Sequence, residues 1–437
     1  MATTRKQLIT WLAMCMTTML AACTPVENHE SPLPPDWSQA MDAMHKSAKR
    51  GVSYSFTNLM DLAQLSSYIS WDYNWGNTPT DDAAMWFDAN EMDYCPMCWN
   101  GNYNADAIRA FVAAHPKTKY LLAFNEPNLT DQANMTPTQA AALWTPVVEL
   151  AKELNLLLVS PAMNYGTLSG YSNPVKWLDE FFAQPNVSIE DIYAISVHCY
   201  MASASAVQGY IEMFEKYNKP IWLTEFCAWD PVPGSVETQI SYMCNVLNYL
   251  EQHKSVERYA WFIPRTNKPI DTAPYMQLLT HDLSPELTTA GKIYAYFSSF
   301  DRDCYLNANR LIYAGEYVTL SNNATQLRPN TDATAKELAN NREGLKVTNL
   351  SANQSLTYQV AVKEATSVIK LRYAGYSNCI MNVIVDGESV NYIDMPRTGD
   401  AELWQEAQTS ANIKVGYHTI QLELVSGSVA LSGFQLQ

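Results

Sequence analysis

The chain carries little charge, and little of that is basic. Charged residues make up 16% of the sequence, with 28 Lys and Arg against 44 Asp and Glu, a formal charge of −16. No basic stripe offsets the acidity, so phosphate backbones are repelled and nucleic acid is excluded as a partner. A neutral polymer such as a glycan meets no such barrier. Long apolar runs are missing too: LITWLAMCMTTML at 8–20 is short for a bilayer-spanning helix. No second Cys-x-x-Cys and no paired His accompany Cys95-Pro96-Met97-Cys98, so zinc is not expected there. No thioredoxin-like βαβ pattern surrounds that motif, which leaves a local disulfide or two ordinary thiols. The Gly-rich first turn of a dinucleotide fold is absent, since Ser53-Tyr54-Ser55 stands in its place. What is present is 47% hydrophobic and 11% aromatic residues over 437 positions, too apolar for a disordered chain and enough for two or three domains.

The N-terminus reads as an export signal. Arg5-Lys6 precede the apolar stretch, and Leu20-Ala21-Ala22-Cys23 ends it. LAAC resembles the lipobox of bacterial lipoproteins, in which the cysteine is lipidated. The expectation is a signal peptide over 1–22, a lipid on Cys23, and a Pro- and Glu-rich tether to residue 45. Thr24 rather than Asp favours the outer membrane by the sorting rule of Gram-negative bacteria, so the chain is expected to sit lipid-anchored in the bacterial cell envelope. Seven of the nine cysteines remain after Cys15 and Cys23; an exported location permits disulfides, but an odd number leaves at least one thiol unpaired.

From residue 46 to 302 short apolar runs alternate with helical patterns. The runs are GVSYSFT (51–57), YISWDYNW (68–75), MWFDANEMDY (85–94), YLLAFNEPN (120–128), LLLVSPAMN (156–164), IYAISVHCY (192–200), PIWLTEFCAW (220–229) and RYAWFIP (258–264). Helices are expected between most of them, with Pro137 and Pro174 just inside two starts. Eight strands and intervening helices over about 250 residues predict an α/β fold, a (β/α)8 TIM barrel; an open doubly wound sheet is the alternative. From 303 to 437 helical spacing stops. LTYQVAV, SVIKLRYAG, MNVIVDG, ANIKVGYHTIQLELV and VALSGFQLQ predict an all-β jelly-roll or β-sandwich domain.

Two glutamates stand at strand ends, where a barrel gathers its chemistry. Glu126 ends the fourth strand and Glu225 lies near the end of the seventh. Carboxylates facing each other across a barrel mouth suit glycoside cleavage, which needs one acid and one base or nucleophile. The ordered motifs DYNW, YCPMCW, AFNEPN, PIWLTEF and RYAWFIP resemble glycoside hydrolase family 128, whose members are endo-acting on β-1,3-glucans. The resemblance spans about residues 50 to 300. It implies a retaining mechanism with Glu126 as general acid/base, Glu225 as nucleophile, and Asn125 donating to the sugar 2-OH. By strand position, His198 or Tyr200 is expected to hydrogen-bond Glu225 and keep it ionised. Trp261 is expected as the floor under the reacting sugar, with Trp229, Trp99, Trp75 and Tyr73 as further platforms and Asn164 and Tyr165 as weaker candidates.

KLRYAG, NVIVDGESV, MPRTGDAELW and KVGYHTIQLEL resemble carbohydrate-binding modules of families 6 and 35. Trp404 and Tyr376 are the candidate sugar contacts. Those families often carry a structural calcium, for which only Glu316 stands at the expected place; no other cofactor is expected. The reading is a monomeric, lipid-anchored enzyme acting on a β-glucan polysaccharide. The alternatives are a surface glycan-binding lipoprotein without catalysis, or a retaining glycosidase on another β-glucan.

Overall fold

The computed structural model describes residues 36–266, 268, 275–280, 284–321 and 326–437. The expected signal peptide, Cys23 and most of the tether lie outside the described residues. The chain divides into Met1–Ser38 and Gln39–Gln437. Among the described residues, every strand and helix belongs to the second unit.

The N-terminal part of that unit is mixed α/β. Eight strands carry the architecture: β1 (Arg50–Ser53), β2 (Trp71–Tyr73), β3 (Asp93–Tyr94), β4 (Tyr120–Leu122), β5 (Leu157–Val159), β6 (Ile195–Met201), β7 (Ile221–Asp230) and β8 (Val256–Trp261). Six form one parallel sheet in the order β3-β2-β1-β8-β7-β6, and β4 pairs with β5 in a separate two-stranded sheet. Isolated parallel bridges join the two sheets on both sides, Met97 to Leu122 and Val159 to Ala194. The strands therefore follow one another without forming a single continuous ladder.

Helices start where the sequence supplies a cap. Thr80, Asn104, Asn173, Ser203 and Ser235 each accept a backbone N–H from the first turn of the helix that comes next. Thr136 and Gln139 form a reciprocal capping box, with Pro137 at the first helical position. The Thr80 cap corrects one expectation: the first half of 85–94 is not strand but the end of the helix Asp81–Ala89, leaving only Asp93–Tyr94 to the sheet. The helical pattern that opens at Pro137 forms two helices, Pro137–Ala142 and Trp144–Glu153. Pro146 cannot bond back to Ala142, and its ring opposes that carbonyl.

Two apolar layers result. One cluster contains strand residues and their immediate continuations: Trp71, Tyr73, Cys95, Met97, Tyr120, Leu122, Val159, Ala194, Trp222 and Ala260. It has no helical member, so it is the interior between the strands. Alternate residues, among them Val197, Leu223, Phe226, Tyr259 and Trp261, pack instead with the helices. Under the interior cluster the Arg258 guanidinium lies 4.5, 4.8 and 5.5 Å from the ring centroids of Tyr120, Trp222 and Trp71 and pairs with Asp93.

The C-terminal part is two β-sheets. One orders Ala40–Met41, Tyr305–Asn307, Ser355–Val362, Gly416–Ser426, Cys379–Val385 and Glu388–Met395. The other orders Leu327–Pro329, Leu345–Ser351, Ser428–Leu436, Thr366–Ala374 and Gln405–Ile413. The run expected as one strand over 411–425 turns at Lys414-Val415 and belongs to two strands, one in each sheet. Ala40–Met41, inside the expected tether, pairs with Tyr305–Leu306 as an edge strand. The β part is docked, not flexibly appended. Its Tyr317 hydroxyl donates to Asn248 at 2.8 Å, and its Gln326 accepts from Ser241 at 3.0 Å, both on the helix Val236–Gln252.

Candidate active site

Glu126 is placed by a turn that no strand would make. Its φ is +42°, in the left-handed region that costs a non-glycine residue on the order of 1–3 kcal/mol. Backbone bonds on both sides hold it there: Asn125 N–H to Trp99 O at 2.9 Å, Glu126 N–H to Ala162 O at 3.0 Å, and Leu129 N–H to Glu126 O at 3.0 Å.

Glu225 is aimed by a bulge. Along β7, Trp222 lies in the interior and Leu223 on the helix side, yet Glu225 and Phe226 repeat that order one residue late. The register against β6 steps from Val197–Leu223 to His198–Glu225, so Thr224 is the extra residue. Without it the carboxylate would point into the helical layer.

The two carboxylates meet at one imidazole. His198 Nδ1 lies 2.9 Å from Glu126 Oε1 and 3.5 Å from Glu225 Oε2. His198 is fully buried, and its Nε2 has no hydrogen-bond partner. Asn164 Nδ2 donates to Glu126 Oε1 at 2.9 Å and is itself fixed through its carbonyl, which accepts from Asn128 at 2.6 Å. Around Glu225, Oε1 accepts from Tyr73 OH at 2.8 Å and Trp75 Nε1 at 2.7 Å, and Oε2 accepts from Tyr200 OH.

Burial raises the Glu126 carboxyl, but the charge and hydrogen bond of His198, with the bond from Asn164, outweigh it and hold the group below the ordinary range. Burial pushes His198 down, and the charges of Glu225 and Glu126 more than reverse this. The hydroxyls of Tyr73 and Tyr200 are pushed well up, first by burial and then by Glu225, so both remain donors.

Above this centre opens a cavity of about 600 Å³ lined by Trp75, Trp99, Asn125, Glu126, Leu129, Gln132, Asn164, Tyr200, Glu225, Trp229, Asp230, Phe262 and Ile263. Larger clefts of about 780 and 790 Å³ lie at the opposite ends of the strands. Their ionisable groups include His115 tied to Asp88 and Lys49 bonded to the carbonyls of Leu250, Glu251 and His253.

Of the residues expected from the sequence, Glu126, Glu225, Asn125, Tyr200, Trp75, Trp99 and Trp229 border this cavity, and His198 lies beneath it. Trp261 does not. It is fully buried, donates to Met276 O at 2.6 Å and packs on Phe226 at 5.1 Å. The alternation along β8 sends 259 and 261 outward, so Phe262 faces the cavity, stacked on Trp229 with centroids 5.8 Å apart. Tyr73 serves Glu225 through its hydroxyl rather than as a platform. Tyr165 is half exposed beside Asn164. Asn125 donates its Nδ2 to Gln132 at 3.2 Å and leaves Oδ1 unpartnered, so it presents an acceptor where the resemblance implies a donor; a sugar hydroxyl can serve either. Phe262 and Gln132 were not foreseen: Phe262 stands in the RYAWFIP motif, where Trp261 beside it drew the reading, and Gln132 belongs to no motif. The cysteines among the described residues, Cys95 and Cys98 included, are buried free thiols.

The family model described as glycosyl hydrolase catalytic core matches residues 51–294, which include both glutamates and the bulge. The chain belongs to the glycosyl hydrolase catalytic core family. This glycosyl hydrolase core is similar to solved family 128, subgroup II, endo-β-1,3-glucanases. One from Pseudomonas viridiflava is 37% identical over 57% of this chain and 98% of that one, with TM-score 0.52. One from Sorangium cellulosum is 32% identical over 56% and 97%, with TM-score 0.50. The alkali-sensitive linkage protein 1 of Schizosaccharomyces pombe is 29% identical over 231 residues, which are 52% of this chain and 40% of that protein. The chain thus spans well under half of that curated relative. A carbohydrate binding module (family 35) model matches residues 330–436 of the β part.

In that β part, Tyr376 is two-thirds exposed with its hydroxyl 3.5 Å from Asp400, and Trp404 carries the Lys346 ammonium 5.4 Å from its ring centroid. Glu316 does not fit the calcium role: both its oxygens accept from the Arg310 guanidinium at 2.8 Å, and one also takes the Tyr313 N–H.

Proposed function

We propose that this glycosyl hydrolase cleaves β-1,3-glucan with retention of configuration, with Glu225 as nucleophile and Glu126 as general acid/base. One observation carries the reading: two buried carboxylates, Glu126 in the turn beyond β4 and Glu225 at the bulge within β7, share one imidazole under a cavity walled by tryptophans. The nearest oxygens of the pair can be no further apart than the two His198 distances laid end to end. That bound leaves room for the roughly 5–5.5 Å spacing of retaining pairs. Eight successive parallel strands, in a six-stranded and a two-stranded sheet joined by isolated bridges, support a (β/α)8 barrel.

In the first step Glu225 attacks the anomeric carbon while Glu126 passes a proton to the departing glycosidic oxygen. His198 supplies that proton from 2.9 Å. As Glu225 becomes an ester its negative charge is consumed, and His198 loses one of the two anions that hold its proton. The proton then moves more readily to Glu126, in step with the demand. In the second step Glu126 takes a proton from water, which attacks the glycosyl ester and frees Glu225.

The subsite walls Trp75, Trp99, Trp229 and Phe262 offer flat faces to sugar rings, and the β part is the glycan-binding appendage through Tyr376 and Trp404. Endo action is the reading supported by the two subgroup II relatives. The LAAC sequence supports a lipid on Cys23 and a place in the outer membrane. The test is product analysis on laminarin, a soluble β-1,3-glucan, with the wild type and Glu225→Ala. Oligosaccharide release that vanishes in the variant supports the assignment. Laminarin binding without release by the wild type would favour a glycan-binding protein instead.

A further inference from the structure

Trp75 looks like a sugar platform from the sequence, but its most specific contact is with the enzyme. Its indole N–H points at Glu225 Oε1 from 2.7 Å, and the Tyr73 hydroxyl reaches the same oxygen from 2.8 Å. The backbone bends to achieve this: Trp75 has φ +61°, a left-handed conformation unusual for a bulky residue. The surrounding loop holds that bend in place. Asn74 Oδ1 accepts from Gly76 N–H at 3.0 Å and Tyr94 OH at 2.5 Å, while its Nδ2 donates to Thr78 O at 3.3 Å. Gly76 O accepts from Met97 N–H at 2.9 Å, and Asn77 Nδ2 donates to Met97 O at 2.9 Å. The indole itself is wedged edge-on between Tyr73 and Phe262, with centroids 5.6 and 5.9 Å away.

We infer that Trp75 is a positioning residue, which with Tyr73 clamps one oxygen of Glu225 and leaves the other as the attacking atom. The inference rests on the function proposed above. Oε1 carries two donors, the Tyr73 hydroxyl and the Trp75 indole N–H. Oε2 carries one, the Tyr200 hydroxyl, and lies 3.5 Å from His198 Nδ1. A carboxylate held at one oxygen cannot rotate, so attack always comes from Oε2 along one line. The clamp also serves the second step. When the glycosyl–Oε2 bond breaks, the electron pair returns to the carboxylate, and donors already aimed at Oε1 stabilise the charge as it forms.

A platform and a clamp differ in what their loss does. Trp75→Phe keeps an aromatic ring and removes the N–H. Loss of a clamp lowers kcat on laminarin on the order of ten- to a hundredfold with KM nearly unchanged, because a hydrogen bond to a charged group is lost from the reacting carboxylate. Loss of a platform raises KM and leaves kcat. Tyr73→Phe, which deletes one buried hydroxyl, lowers kcat in the same way, and the double variant loses less than the product of the two.

An activity-independent measurement separates this inference from the function it rests on. In protein labelled with ¹⁵N at the indole nitrogens, the Trp75 N–H resonance, assigned by its disappearance in Trp75→Phe, moves strongly on Glu225→Gln, whether or not laminarin is a substrate. An unmoved resonance, or a KM-only effect of Trp75→Phe, overturns the clamp. A moved resonance with no laminarin hydrolysis by the wild type keeps the clamp and overturns the proposed substrate.

Discussion

The Glu126–His198 contact gives the sharpest quantitative expectation. Glu126→Gln keeps the shape of the side chain and removes its charge. A hydrogen bond to a charged group is worth about 1.5–3 kcal/mol, and 1.36 kcal/mol moves a titration by one pH unit. With the 2.9 Å partner neutralised and the 3.5 Å partner retained, His198 should titrate about one to two pH units lower than in the wild type. The assay is an NMR titration of the seven histidines, with His198 identified by its loss in His198→Gln. The same contact leaves a stability signature. His198 is held up, so its contribution is complete below about pH 6.5 and is lost as pH rises through its raised value; Glu126 is held down, so its contribution is complete above about pH 4.3 and is lost as pH falls through its lowered value. The thermal stability gap between wild type and Glu126→Gln should therefore be widest near pH 5.5 and narrow on both sides. An unchanged or raised His198 titration, or a gap that widens towards pH 9, would refute the shared-proton geometry.

Two further expectations concern catalysis and glycan retention. Glu126→Ala should lower laminarin turnover by about 10²–10⁴-fold, and azide should restore activity on an aryl glycoside with a good leaving group by forming a β-glycosyl azide, seen by mass spectrometry and NMR. Tyr376→Ala with Trp404→Ala should weaken retention on insoluble β-1,3-glucan several-fold in a pull-down while leaving kcat on short soluble oligosaccharides unchanged.

The sequence announced both glutamates because each ends an apolar run in a motif, Asn-Glu-Pro and Leu-Thr-Glu-Phe, that a buried strand would not otherwise carry. It also announced the change to an all-β C-terminal part. It could not announce which way a side chain points. Trp261 was misjudged because strand parity decides its face, and parity was visible only once Ala260 and Phe262 were seen on the inside. The Thr224 bulge is a property of the register against His198, hence of two strands at once. The helix at 81–89 was legible in hindsight, since Thr80 followed by two aspartates is a start signal that the aromatic run obscured. So was the break at Pro146. Trp75 shows the opposite limit: its residue type suggested stacking, and only its backbone conformation turned its N–H toward Glu225.

The measurement that tests the central claim most directly is ¹H NMR of the anomer released in the first minutes of laminarin hydrolysis, before mutarotation. The two-glutamate retaining account predicts that β-anomeric reducing ends appear first and slowly equilibrate to the α form, with no release by Glu225→Ala. If α-anomers appear first, the pair works by inversion, and Glu225 is a base acting through water rather than a nucleophile.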